Sequence, residues 1–183
     1  MHSIVKIFGA LVTLLFVCGC APSKQERIAA YTASINSLKT IQFATENNVT
    51  LDKLNELSKK SKEIIAIESK KIGHAEIELL IESASRAYHN SCVGWEAVKR
   101  SKSASEGGIS EQALKRPRTF YNKEGYVIAE LFEYYDIKWS NHFKNNGGGW
   151  VSGKNFVSQI WAVGSSKTNA AAKLGDEFFS KLK

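Results

Sequence analysis

Proline is nearly missing from this chain: Pro22 and Pro117 are the only two in 183 residues, and both fall outside the segments with helical periodicity. Long helices therefore meet no built-in interruption. Long hydrophobic runs are also missing. The most extended one, Ile7 to Val17, is well short of the roughly 20 apolar residues that span a bilayer, which argues against a transmembrane anchor. No internal repeat is visible, so a solenoid or propeller is not indicated. Catalytic signatures are scarce as well. The chain has no Glu-x-x-His pair for a metal site inside a bundle, and its glycine run lacks the Lys-Ser/Thr ending of a phosphate-binding loop.

The first residues are organised differently from the rest. A short start carrying Lys6 precedes the apolar run, which ends in Val17-Cys18-Gly19-Cys20-Ala21. This resembles the bacterial lipobox, in which an aliphatic residue at −3 and a small one at −1 precede the cysteine that receives lipid. Cys20 fits, with Gly19 at −1 and Val17 at −3. Cys18 does not, because Val17 at −1 is branched and bulky. The departure from the commonest pattern is Cys18 itself at −2, the most tolerant position. The resemblance covers about the first 20 residues. It implies cleavage between Gly19 and Cys20, a diacylglyceryl thioether on Cys20, and attachment by two or three acyl chains, which is effectively permanent. Ala21 in place of Asp after the cysteine implies the outer membrane, facing the periplasm. The expected organisation is residues 1–19 as signal peptide, 20–26 as lipidated cysteine and short tether, and 27–183 as one α-helical domain.

Processing leaves Cys92 as the only cysteine without a role, so an intramolecular disulfide is excluded although the compartment is oxidising. The fold then depends on its core alone. The formal net charge of +7 falls by one with Lys6. Export argues against nucleic acid as the partner of this basic surface and leaves envelope polyanions, or simple solubility.

Hydrophobic spacing predicts an all-α bundle of five or six helices. Ile28, Tyr31, Ile35 and Leu38 mark the first, which Glu46-Asn47-Asn48 interrupts. Thr50 suits the N-cap of a second helix bearing Leu51, Leu54, Leu57, Ser61, Ile64 and Ile65, with Lys70, Lys71 and a left-handed Gly73 to close it. A third runs from Glu76 to about Arg100, its stripe formed by Ile77, Leu80, Ala84, Tyr88, Ser91, Trp95 and Val98. Cys92 sits at the edge of that stripe, which predicts burial. A fourth is read through Ile128, Phe132, Tyr135, Trp139 and Phe143, over a competing strand pattern. After Gly147-Gly148-Gly149, two short helices are expected, through Phe156, Ile160 and Val163 and through Ala171, Leu174, Phe178 and Leu182.

Candidate chemistry is thin. His89, Cys92 and Glu96 share one side of the third helix, spaced for a metal half-site or an activated thiol, yet nothing elsewhere pairs with them. A structural role is the preferred reading. Glu76, Glu78 and Glu82, or Glu130 and Glu133, lie on single helix faces, where a glycosidase pair seldom forms. Glu82 is expected to pair with Arg86. No catalytic set, metal or cofactor is assigned. The best candidate binding surface is cationic and aromatic: Lys115, Arg116, Arg118, Phe120, Tyr121 and Lys123, with Trp150 beyond the glycine run. Three functions fit: a non-catalytic envelope lipoprotein binding a protein or glycan partner near the membrane; a periplasmic enzyme acting on cell wall or lipid; and an exclusion or immunity lipoprotein of a mobile element.

Overall fold

A computed structural model of the chain describes residues 21–104, 123–138 and 153–182. These form five α-helices and no strand: α1 (Lys24–Glu46), α2 (Leu51–Glu68), α3 (Ala75–Ala104), α4 (Lys123–Tyr134) and α5 (Gly153–Ser180). The all-α reading is correct. A short 3-10 turn, Ser69–Lys71, extends α2.

Local chemistry sets the helix ends. α1 begins at Lys24, earlier than periodicity places it, because Ser23 and Glu26 form a reciprocal capping box. The Ser23 N–H donates to Glu26 Oε2 at 2.7 Å, and the Glu26 N–H donates to Ser23 Oγ at 3.3 Å. Asn48 turns the chain out of α1 with a φ of 58°. Thr50 caps α2 as expected, accepting from the Lys53 N–H at 3.3 Å. Gly73 adopts the left-handed conformation, φ 68°, between the 3-10 turn and α3.

The order of contacts shows an up-down-up-down bundle of α1, α2, α3 and α5. Ser37 of α1 meets Ser61 of α2 at 2.9 Å, and Asn55 of α2 meets Glu96 of α3 at 2.9 Å. Trp161 of α5 donates to Ser91 of α3 at 2.9 Å, while Tyr31 of α1 donates to the Ala172 carbonyl of α5 at 2.9 Å. The most extensive pairing is α3 on α5. α4 lies antiparallel against the outer side of α3, joined to it by Asn90 and Tyr135 at 2.9 Å. Its Phe132 stacks on Phe156 of α5 with centroids 4.9 Å apart.

The core runs the length of the bundle through Leu38, Ile41, Leu54, Ile77, Ile81, Tyr88, Phe156 and Ile160. Close approach depends on glycine where rings press on helices. A Cβ at Gly175 would lie 2.1 Å from the Tyr31 ring, and one at Gly164 would lie 2.9 Å from Tyr88. This explains a departure from expectation. The two short C-terminal helices are one continuous helix, α5. The apolar pattern thins between Val163 and Ala171 because Gly164 and the fully buried Thr168 occupy the inward positions there. Thr168 keeps its hydroxyl satisfied by donating to the Gly164 carbonyl at 2.9 Å. α4 ends at Tyr134 and the backbone reverses at Asp136, φ 48°, so the helix does not continue towards Trp139. Trp139 and Phe143 lie outside the described residues.

Candidate functional site

The two ends of the bundle are different places. One end gathers the start of α1, the α2–α3 turn and the end of α5. Arg27 ties them together: Nε donates to the Ile72 carbonyl at 2.8 Å and Nη2 to that of Gly73 at 2.9 Å, with the guanidinium 5.4 Å over the Phe178 ring. The residues that follow Cys20 enter here. The opposite end carries Asn48, Ala104, Lys123 and Lys154, and Lys154 donates to Asn48 Oδ1 at 2.5 Å.

Among the residues expected to bind a partner, Lys123 opens α4 and is exposed at this opposite end. Lys115, Arg116, Arg118, Phe120, Tyr121 and Trp150 lie outside the described residues, as do Gly19 and Cys20.

The His89, Cys92 and Glu96 group does not converge. Cys92 is buried, 3% exposed, and burial pushes its thiol up to about 11. A thiol held protonated in this way is a poor nucleophile. Glu96 accepts from Asn55 at 2.9 Å and from Arg100 at 3.2 Å, both structural contacts. His89 turns outward instead, its pKa lowered by partial burial and by the nearby Lys62 ammonium. Among the described residues no group of three or more His, Cys, Asp or Glu side chains is placed to hold a metal ion.

Two grooves flank α3. On the α4 side is a cavity of about 630 Å³, bounded by Asn90, Val93, Val127, Leu131 and Tyr134, with Glu130 and Glu133 at its edge. On the α2 side is one of about 430 Å³, lined by the exposed Lys62, Lys70, Arg86 and His89 together with Ile65, Ala66, Ser69, Ser85 and Glu82. The expected Glu82–Arg86 pair is replaced by one between helices. Glu82 Oε1 meets Lys70 at 2.9 Å, and Glu78 approaches the same ammonium at 3.7 Å. Arg86 lies beside the Tyr134 hydroxyl instead, whose proximity raises its pKa. Sequence spacing misses this α2–α3 cluster because its members come from two helices whose register depends on packing. The one visible sign is the lysine density of α2.

Comparison with family models, with curated proteins and with solved structures finds no match to this chain.

Proposed function

We propose that the chain is a non-catalytic envelope lipoprotein, anchored through lipid on Cys20, whose helical bundle binds a protein or glycan partner close to the membrane. The observation that carries this reading is the Val17-Cys18-Gly19-Cys20 sequence, with its small −1 residue. Where α1 starts also supports it. With Ser23 as N-cap, only Ala21 and Pro22 separate Cys20 from a capped helix, a tether reaching roughly 10 Å. A bundle on so short a leash works at the membrane surface rather than far into the surrounding space. Ala21 supports the outer membrane, periplasmic side. The non-catalytic part draws on the site chemistry: Cys92 is buried and protonated, and Glu96 is taken up by Asn55 and Arg100.

Fatty-acid labelling with membrane fractionation tests the anchor. The parent chain and Cys18→Ser are expected to incorporate labelled palmitate and sediment with membranes. Cys20→Ser is expected to do neither. A labelled Cys20→Ser chain, or an unlabelled parent, would sink the anchor. Cross-linking in cells tests the partner: a specific adduct lost in Cys20→Ser is expected, and repeated recovery of the bare chain would count against binding.

A further inference from the structure

The α2–α3 groove concentrates positive charge from two helices. Its lining brings together three permanent cations, Lys62 and Lys70 from the α2 side and Arg86 from α3. One carboxylate, Glu82, faces them, and it is committed to Lys70 at 2.9 Å. Among the described residues no carboxylate comes within ion-pair distance of Lys62 or Arg86. Lys62 and Arg86 reach this concavity from facing helices, Arg86 also hydrogen-bonding the Tyr134 hydroxyl of α4, and an anion held between them is attracted by both charges.

The remaining lining fits an oxyanion in particular. Ser85 adds a hydroxyl to the wall, His89 adds an imidazole, and Arg86 supplies a planar fork that matches phosphate geometry, while the Ser69 hydroxyl is taken up by Glu82 at 3.5 Å. Ile65 and Ala66 add apolar surface beside these polar groups. Leu79, two turns before Arg86 on the same line of α3, is 64% exposed and offers apolar contact beside the charges. The groove also sits in the half of the bundle where the chain arrives from Cys20. Glu82 and His89 stand about 10 and 20 Å along α3 from its first residue, Ala75.

We propose that this groove is a phosphate-binding site, taking a phosphoryl group of a lipid headgroup or of a free phosphate between Lys62 and Arg86. The site does not depend on lipid at Cys20, so its failure and that of the anchor are separate results. Inside it, Lys62 and Arg86 bind the oxygens directly. Lys70 shares its charge with Glu82 and Glu78, and His89 gains a proton as the anion offsets Lys62.

The test uses the full chain in neutral detergent, titrated at constant ionic strength with inorganic phosphate and, in a second arm, with dihexanoyl phosphatidylglycerol. Binding is read by calorimetry and by the proton resonances of His89. Saturable binding in at least one arm is expected, with the imidazole pKa of His89 rising on saturation. Saturation by inorganic phosphate identifies a free anion as sufficient, and saturation by the lipid alone identifies a headgroup. Lys62→Ala and Arg86→Ala are each expected to weaken binding about tenfold, with unchanged helical circular dichroism; Lys62→Gln and Arg86→Gln serve where the alanine variants fold poorly. A control pair on other faces, Lys39→Ala and Lys173→Ala, is expected to leave binding within about twofold of the parent. Lack of saturation in both arms would overturn the proposal. So would equal weakening by the control pair, which would mean that net charge alone attracts the anion.

Discussion

His89 shows how far a single residue's role is set by neighbours that sequence distance hides. By spacing it belongs with Cys92 and Glu96 on one helix; in the fold it faces Lys62 of α2. Partial burial and that ammonium lower its pKa, so the unfolded chain binds this proton more readily than the folded one. The contribution is complete above the unfolded value of about 6.5 and is lost as pH falls through the folded value. Denaturant titrations at stepped pH are therefore expected to show stability declining below about pH 6.5. His89→Gln is expected to flatten that slope. A slope unchanged in the variant would place the acid sensitivity elsewhere. Cys92 was more legible, because its place at the edge of an apolar stripe already implied burial. Arg86 was not: Glu82 four residues earlier is a sound local partner, but Lys70 arrives from another helix and takes it.

For whole helices, some ends could be read from sequence and the interior contacts could not. Thr50 and Gly73 act through bonds and dihedrals that reach only a few residues, so their chemistry announces itself, whereas periodicity alone places the start of α1 after the Ser23 cap. The length of α5 depended instead on what stands opposite. Gly164 and Gly175 read as weak points in isolation, since glycine costs a helix about 1 kcal/mol relative to alanine. In the bundle they are the places where the Tyr88 and Tyr31 rings fit. Tyr31 is fixed there by its bonds to the Ala172 carbonyl and to Asp176, each 2.9 Å, and burial followed by the Asp176 carboxylate raises its pKa. Gly175→Ala sets propensity against packing. The added methyl would stand 2.1 Å from a ring atom, and overpacking typically costs about 1–3 kcal/mol. Packing is expected to win, with net destabilisation of about 1–2 kcal/mol in urea unfolding. A variant as stable as the parent would show that Tyr31 has another place to go.

In the whole molecule, α3 is the shared element. It contacts α1, α2, α4 and α5, and its Ser91 links the core by accepting from Trp161 while donating to the Tyr88 carbonyl at 2.6 Å. Removing any one neighbour exposes part of the same apolar column, so the helices are expected to unfold together. Far-UV circular dichroism and tryptophan emission should report one coincident transition. Helical signal persisting after the emission change would show that the α1–α2 hairpin stands without α5. The same architecture separates two surfaces along the bundle. Lys123 marks the end away from Ser23, whereas the Lys62 and Arg86 groove lies in the half nearer to it.

By itself the sequence determined the all-α class, the capped start of α2, the left-handed turn at Gly73 and the burial of Cys92. Each follows from periodicity or from bonds that span a few residues. Only the tertiary structure decided the continuity of α5, the partner of Glu82, the outward turn of His89 and the gathering of Lys62, Lys70 and Arg86 into one groove. These depend on the relative height and rotation of packed helices. Rotation and height come from how Tyr31, Tyr88 and Trp161 seat against facing helices, a fit between surfaces that no local pattern encodes.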